Sequence, residues 1–300
     1  MKNLSSLILC FAVCMLILVA GCTQSTPAPA ATPVPTKNAP VPSGDTVKTA
    51  ATSLGTILTD SQGKSLYFFA DDIPSSGIST CSGKCLSFWP VFYSASPVVS
   101  APLAASDFSV ITRADGTSQT TYKGWPLYYF SKDASAGDLK GENIQGNWSV
   151  AKPDYTVMYA HQPGVGTYLT DATGRTLYYF TRDAADATAC TDSCATTWPP
   201  FSSGSLVAPS LLKSADFSGG KRPDGMMQSF YKDRPLYYFS KDSKPGDVKG
   251  QGIINSWYVA DITGFVPATP TTVPTALPTA IPTTIPTFDY SSSSSGGGGY

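Results

Sequence analysis

One segment of the chain occurs twice, and this duplication constrains the fold more than any other feature of the sequence. Residues 47–152 and 153–265 carry the same motifs in the same order. The shared order is Gly-Thr-x-Leu-Thr-Asp, Leu-Tyr-aromatic-Phe, Cys-x3-Cys-x3-Trp-Pro and Pro-Leu-Tyr-Tyr-Phe-Ser-Lys-Asp. Self-similarity over this length indicates tandem copies of one structural unit. We call these segments copy 1 and copy 2.

Each copy is itself made of two related half-repeats. The first half-repeat contains Leu-Thr-Asp-x-x-Gly followed by Leu-Tyr-aromatic-Phe-x-x-Asp, and the second contains Asp-Gly-x-x-Gln followed by Pro-Leu-Tyr-Tyr-Phe-Ser-Lys-Asp. The Asp-x-x-Gly and Asp-Gly segments have turn composition and lie between apolar runs, which predicts a β-hairpin in each half-repeat.

The residue composition of the copies favours strands over helices. Asp, Gly, Pro, Ser, Thr and aromatic residues dominate, and Glu142 is the only glutamate. These are residues of strands and turns and they are poor helix formers. We therefore expect an all-β protein with roughly seven short strands in each copy. The sequence leaves open whether the copies form two sandwiches or one closed body with four equivalent hairpins.

The N-terminus predicts export and lipid anchoring. A basic residue, Lys2, precedes an apolar run that ends in Leu18-Val19-Ala20-Gly21-Cys22. Residues 1–22 therefore resemble a lipoprotein signal peptide whose lipobox leaves Cys22 as the acylated N-terminus. An uncleaved transmembrane anchor is the alternative, since the apolar run is nearly long enough to span a bilayer. Either reading places the copies outside the cytoplasmic membrane, where the membrane is the first expected partner.

Tethers flank the two copies. Residues 23–46 are rich in Thr, Pro and Ala and should form an extended linker. In residues 266–300, prolines recur every four positions before runs of Ser and Gly, and we expect no folded core there. This tail is either an O-glycosylated or wall-threading stalk or a segment without a partner.

Four cysteines are left after the signal peptide and Cys22. They form two C-x3-C pairs, Cys81 with Cys85 and Cys190 with Cys194. Outside the cytoplasm such pairs are most simply disulfides. The alternatives are a redox-active pair or a metal site, but the spacing is not C-x-x-C, and His161 is the only histidine available as a further ligand.

Both copies carry the Y-x4-D motif twice, in tandem repeats behind a lipobox. The four motifs are Tyr67…Asp72, Tyr128…Asp133, Tyr178…Asp183 and Tyr237…Asp242. Together with Cys-x3-Cys-x3-Trp-Pro, they make residues 47–262 resemble the lipoprotein family described as a secreted repeat of unknown function. The resemblance implies a repeat fold and an extracytoplasmic location, and it implies no activity.

The Y-x4-D motif has a structural and a functional interpretation. In the structural one, the tyrosine lies on a strand and the aspartate follows the strand end, where its carboxylate accepts backbone N–H groups and closes a turn. In the functional one, the four motif aspartates and neighbours such as Asp138 and Asp247 bind a hard cation such as Ca²⁺. Lys132, Arg182 and Lys241 adjoin three of these carboxylates and would weaken cation binding.

The composition also limits the functions to consider. The formal net charge is −1, so the chain lacks the excess of positive charge that is typical of nucleic-acid-binding proteins. It has a single histidine, so the usual catalytic groupings of a nucleophile with a general acid or base are not expected. His161 lies between the copies and we expect a connector role. We predict no enzyme activity and no cofactor.

The expected role is a non-catalytic surface-binding or structural module of the cell envelope, and the alternative is a metal-handling or redox accessory protein. The chain has 16 Tyr, 14 Phe and 5 Trp, so aromatic side chains left at the surface could stack on cell-wall or surface glycans. Burial of most of them in the cores is the competing expectation.

Overall fold

The computed structural model describes residues 46–265 and shows two copies of one β-rich unit. The predicted signal peptide, the predicted lipidation site Cys22, most of the linker and the tail lie outside these residues. No helix in the described part of the chain has the length and apolarity needed to cross a bilayer.

Seven strands in each copy match the expected number, and the all-β prediction is confirmed. Copy 1 contains β1 (Val47–Thr52), β2 (Gly55–Asp60), β3 (Tyr67–Phe69), β4 (Phe108–Thr112), β5 (Ser118–Tyr122), β6 (Trp125–Pro126) and β7 (Trp148–Val150). Copy 2 contains β8 (Val157–Gln162), β9 (Gly166–Asp171), β10 (Tyr178–Phe180), β11 (Phe217–Lys221), β12 (Met227–Tyr231), β13 (Arg234–Pro235) and β14 (Trp257–Val259).

Short helices, which the sequence did not predict, interrupt the strands at the same places in both copies. The α-helices are α1 (Lys84–Phe88) and α2 (Ser193–Thr197), and each contains the second cysteine of a C-x3-C pair. Four 3₁₀ turns occur at Ala105–Asp107, Ile144–Gly146, Ser214–Asp216 and Ile253–Asn255. One helical turn needs little intrinsic helix propensity when tertiary contacts hold it, which explains why the composition gave no sign of these helices.

The sheets are small and antiparallel, and each lies within one copy. In copy 1, β1 pairs with β2, β4 with β5 and β6, and β3 with β7; copy 2 repeats this pattern. The β3–β7 pairing is non-local, because β3 belongs to the first half-repeat and β7 ends the second. The two half-repeats of a copy therefore complete one another.

Side chains alternate along the central strands as the period-2 pattern predicts. Tyr67 and Phe69 belong to one aromatic core cluster. Phe68 belongs to a second cluster, in which it packs against Trp125. The second cluster also contains Tyr155 and Met158, which lie beyond the end of copy 1. The hydrophobic core thus continues across the boundary between the copies.

The copies also share polar contacts. The Trp125 indole N–H donates to the Ala172 carbonyl over 3.0 Å, and the hydroxyls of Ser149 and Tyr159 are 2.9 Å apart. The copies therefore keep separate sheets and pack directly against one another.

The second copy differs from the first at the position of Trp125. Arg234 lies at the matching position, and its guanidinium lies near the Phe180, Thr181 and Asp183 carbonyls of its own copy, at 3.3–3.5 Å. It also lies over the Tyr179 ring.

Candidate functional site

The Y-x4-D motifs meet in reciprocal pairs at the centre of each copy. In copy 1, the Tyr67 hydroxyl donates to Asp133 Oδ2 over 2.6 Å, and the Tyr128 hydroxyl donates to Asp72 Oδ2 over 2.6 Å. Each tyrosine therefore binds the aspartate of the other half-repeat's motif. Copy 2 repeats the arrangement, with Tyr178 bound to Asp242 at 2.7 Å and Tyr237 bound to Asp183 at 2.8 Å.

The backbone brings the two motifs of a copy into this register. Tyr67 and Tyr128 exchange both of their backbone hydrogen bonds, at 2.9 and 3.1 Å, as an isolated antiparallel bridge. Tyr178 and Tyr237 do the same at 2.8 and 2.9 Å. The backbone bridge thus holds the two tyrosines of a copy side by side, and from there each hydroxyl reaches the carboxylate of the other motif.

The second oxygen of each motif carboxylate closes a loop. Asp72 Oδ1 accepts the Thr80 backbone N–H at 2.6 Å and the Thr80 hydroxyl at 2.7 Å. Asp133 Oδ1 accepts the Lys140 N–H at 3.0 Å. The matching bonds in copy 2 run from Ala189 to Asp183 and from Lys249 to Asp242. The carboxylate thus closes a loop of six to eight residues, which is longer than the turn the motif suggested.

Burial changes the acid–base properties of these groups. Desolvation raises the pKa of the Asp72 and Asp183 carboxyls to about 6, although hydrogen bonds from Thr80, Ala189 and the partner tyrosines oppose the shift. The pKa values of Asp133 and Asp242 are raised by the same cause. Burial, followed by the adjacent carboxylates, raises the pKa of all four motif tyrosines well above the usual range.

A stack of four aromatic rings lies beside the motif pairs in copy 1. Trp89 and Trp148 stack face to face with centroids 3.6 Å apart and planes 2° from parallel. Phe69 stacks on Trp148 at 4.2 Å, and Phe130 packs against Trp89 at 4.5 Å. Every adjacent pair combines rings from different half-repeats.

Copy 2 contains the same stack in the same order. Trp198 and Trp257 are 3.9 Å apart and 1° from parallel. Phe180 stacks on Trp257 at 4.4 Å and Phe239 stacks on Trp198 at 4.3 Å. The arrangement is therefore a property of the repeat.

One glycine in each copy packs its backbone directly against the rings of the aromatic core. A Cβ at Gly141 would lie 2.8 Å from Tyr67 Cζ and 2.9 Å from Trp89, and Gly250 is confined in the same way by Tyr178 and Trp198. Glycine is needed at both positions for lack of space, because neither has a positive φ.

A buried arginine, which the motifs alone do not single out, extends the hydrogen bonds of each motif pair. In copy 1, Arg113 donates to Ser79 Oγ, to the Cys81 carbonyl and to Gln119 Oε1, while Ser79 bonds the Tyr128 hydroxyl at 2.5 Å. In copy 2, Arg222 contacts Thr188, Cys190 and Gln228 in the same manner. The sequence pattern that marks this arginine is Arg-x-Asp-Gly followed by Gln, which occurs in both copies.

Both predicted disulfides are present. Cys81 bonds Cys85 and Cys190 bonds Cys194, each over a separation of four residues. Cys81 and Cys190 are buried in the aromatic clusters, so the disulfides attach α1 and α2 to the cores. In the chain-entropy view, so short a loop contributes about 2 kcal/mol.

The structure does not assemble the cation site that was considered from sequence. The oxygens of Asp72, Asp133, Asp183 and Asp242 bind tyrosine hydroxyls and backbone N–H groups, as described above. Asp138 and Asp247 instead bind Lys140 and Lys249, at 2.8 and 2.7 Å. Within residues 46–265, no three His, Cys, Asp or Glu side chains are grouped to hold a metal ion. In this arrangement all four motif carboxylates are bonded to tyrosine hydroxyls and backbone N–H groups, and the cation interpretation stays a prediction.

Most of the aromatic side chains are buried, including all five tryptophans. Among the described residues, the aromatic rings with the largest exposure are Phe88 at 54 % and Tyr93 at 50 %, both in copy 1. Copy 2 has Thr197 and Ser202 at the matching positions.

His161 lies at the contact between the copies. Its backbone N–H donates to the Ala70 carbonyl over 2.8 Å, and its Nδ1 lies 3.3 Å from Asp71 Oδ1. Strand register shows that its counterpart in copy 1 is Ala51, and the β8–β9 loop is one residue longer than the β1–β2 loop.

A shallow cleft of about 570 Å³ lies apart from the motif pairs, where the two copies meet. Gln145 and Gly146 of copy 1 line one side, and Leu211, Lys213 and Asp216 of copy 2 line the other. No motif residue reaches this cleft.

The fold and the motif geometry define a class: tandem-repeat β-proteins in which paired half-repeats are joined by reciprocal Tyr–Asp hydrogen bonds around an aromatic stack. The chain belongs to the family described as a secreted repeat of unknown function, whose model matches four segments, residues 48–93, 109–152, 161–202 and 220–261. The resemblance noted from the motifs is thereby confirmed, and the chain is an extracytoplasmic protein. Comparison with curated proteins and with solved structures found no match.

The four matched segments coincide with the four half-repeats, and the structure shows why they occur in pairs. A single half-repeat supplies one motif tyrosine, one motif aspartate, one stacked tryptophan and one stacked phenylalanine, and the partner of each comes from the other half. The folding unit is therefore two family repeats.

Proposed function

We propose that this protein is a non-catalytic lipoprotein that acts as a surface-binding or structural module of the cell envelope. The observation that carries the proposal is the reciprocal pairing of the four motifs. Because every motif carboxylate binds a tyrosine and a backbone N–H, the signature of the repeat serves to join half-repeats and is not presented to a substrate. Contact with a partner must then use other side chains.

Phe88 and Tyr93 are the candidates for that contact. Phe88 precedes the Trp89-Pro90 segment and Tyr93 follows it. Both side chains are half exposed. Large exposed aromatic rings are suited to stacking on the apolar face of sugar rings. We therefore propose an envelope glycan as the partner of copy 1. The net charge of −1 offers no comparable footprint for nucleic acid.

Co-sedimentation with purified, insoluble envelope polysaccharide tests the glycan proposal. The full mature chain is compared with a Phe88→Thr/Tyr93→Ser variant, which introduces the residues that copy 2 carries at these positions. We expect binding that the variant loses while its melting curve is unchanged. Equal sedimentation of both proteins, or of neither, would rule out this surface.

The membrane anchor is tested separately through Cys22. Lipidation predicts that the exported chain is found in the membrane fraction and incorporates labelled fatty acid, since acyl chains contribute about 0.8 kcal/mol per buried methylene. A Cys22→Ala variant should be unlabelled. Label retained in that variant would contradict the lipobox assignment.

A further inference from the structure

The buried phenols and indoles of each copy are arranged in a way that packing alone does not require. Aromatic pairs generally favour offset or edge-to-face contacts over a face-to-face sandwich. Trp89 and Trp148 nevertheless lie face to face at 3.6 Å, and Trp198 and Trp257 do so at 3.9 Å. Direct π overlap lets two rings share the positive charge left when an electron is removed, which makes a stacked pair easier to oxidise than a single indole.

A tyrosine with a proton acceptor in place adjoins each tryptophan. Tyr67 meets Trp89 edge-on at 5.4 Å and Tyr128 meets Trp148 at 5.1 Å. A phenol loses an electron readily only if its proton can leave at the same time, because the phenol radical cation is a strong acid. Asp133 and Asp72 lie 2.6 Å from the two hydroxyls and supply that acceptor.

We propose that the aromatic core of each copy is a one-electron donor site for outer-sphere oxidants, such as oxidised metal complexes or radicals encountered outside the membrane. This activity goes beyond the proposed envelope role and does not depend on glycan binding. The oxidant gains one electron from the Trp–Trp pair, and a motif tyrosine refills the pair. The tyrosine O–H bond breaks, its proton forms an O–H bond on the partner aspartate, and no other bond changes. The products are a neutral tyrosyl radical, a carboxylic acid and the reduced oxidant.

Three further observations support this assignment. The full set is present in both copies, with Tyr178 at 5.4 Å from Trp198 and Tyr237 at 5.1 Å from Trp257. The outer rings of the copy 1 stack, Phe69 and Phe130, are 8 % and 6 % exposed, so an electron has only about one side chain to cross to reach the surface. Burial also makes each aspartate a better proton acceptor than a surface carboxylate.

Flash photolysis of the full mature chain with a photogenerated ruthenium(III) tris-bipyridine oxidant tests the proposal. We expect transient absorption and electron paramagnetic resonance to detect a neutral tyrosyl radical, formed more slowly in D₂O because the proton moves with the electron. In an Asp72→Asn/Asp133→Asn variant the radical yield should fall by about half, because one of the two copies loses both of its proton acceptors. Asparagine keeps an oxygen that accepts the tyrosine hydrogen bond.

Tyr258→Phe is the matched control, since it removes a partly buried tyrosine that belongs to neither the motif pairs nor the aromatic stack. The radical yield should be nearly unchanged in this control. Loss of the signal in Tyr258→Phe would overturn the proposal, because oxidation would then occur outside the motif pairs. An unchanged yield in the Asn variant would also overturn it. If the Asn variant does not fold, the rate in D₂O decides: equal rates in D₂O and H₂O would refute the coupled proton transfer.

Discussion

Disruption of one reciprocal pair measures how strongly the Y-x4-D motif joins the half-repeats. The perturbation is a double-mutant cycle of Tyr67→Phe and Asp133→Ala. Asp133 is 5 % exposed and is bonded to the Tyr67 hydroxyl at 2.6 Å. A hydrogen bond to a charged group contributes about 1.5–3 kcal/mol, and Tyr67→Phe also removes the acceptor of the Gly141 N–H. We therefore expect Tyr67→Phe alone to lower the free energy of unfolding by about 2–3 kcal/mol.

The cycle separates this bond from the other contacts of each residue. Asp133→Ala should cost more than Tyr67→Phe, because the carboxylate also binds the Lys140 N–H. The coupling energy between the two substitutions should be about 1.5–3 kcal/mol. Urea unfolding followed by tryptophan fluorescence provides the measurement, with separate transitions fitted if the two copies unfold independently.

Two comparisons guard against a misleading result. The Tyr178→Phe/Asp242→Ala cycle should give the same coupling, because copy 2 has the same pair at 2.7 Å. Tyr93→Phe, at the surface, should change stability by less than about 0.5 kcal/mol. A coupling below about 0.5 kcal/mol in both copies would refute the reasoning, and packing of the aromatic stack would then be what joins the half-repeats.

Three further outcomes follow from the buried groups and the backbone. Burial raises the folded-state pKa of Asp72 and Asp183 to about 6, above the ordinary aspartate value, so the native state binds more protons and stability falls as pH rises from about 4 through 6, by up to about 3 kcal/mol per group. Melting temperatures across pH 4–7 check this, and Asp72→Asn should flatten the profile; a rise in stability over this range would contradict it. Gly141→Ala should destabilise by about 1–3 kcal/mol in urea unfolding because its Cβ would collide with buried rings, whereas Gly204→Ala, with open space around it, should not. Asp233 has a φ of +65°, in the left-handed region. Asp233→Gly should relieve this backbone strain and raise the free energy of unfolding by about 1 kcal/mol. A decrease would show that the aspartate side chain is needed there.

Several parts of the structure follow from local sequence. The duplication, the strand content, the alternation of Tyr67 and Phe69 against Phe68, and the disulfides all depend on residues close together in the chain. Period-2 patterning and short Cys spacing report local geometry directly. These features can therefore be predicted from the sequence.

The site required tertiary structure because its partners are far apart in sequence. Tyr67 and Asp133 are separated by 66 residues, and Arg113 lies 34 residues from Ser79. A motif that contains both Tyr and Asp suggests that the two residues of one motif contact each other. In the structure, each tyrosine instead binds the aspartate of the other half-repeat. The sequence does not reveal this exchange, since the hydroxyl that binds each carboxylate is distant in the chain.

Repeats, strand alternation and turn residues are visible at neighbouring positions, and they are enough to identify a duplicated, disulfide-bonded β-protein of the secreted-repeat family. The pairing of two half-repeats, the Phe–Trp–Trp–Phe stack and the Tyr–Asp bonds across the halves are visible only in the folded molecule. They depend on the non-local pairing of β3 with β7 and on the bridge between Tyr67 and Tyr128, which bring these groups together. No local pattern encodes which of several equivalent aspartates a buried hydroxyl will reach.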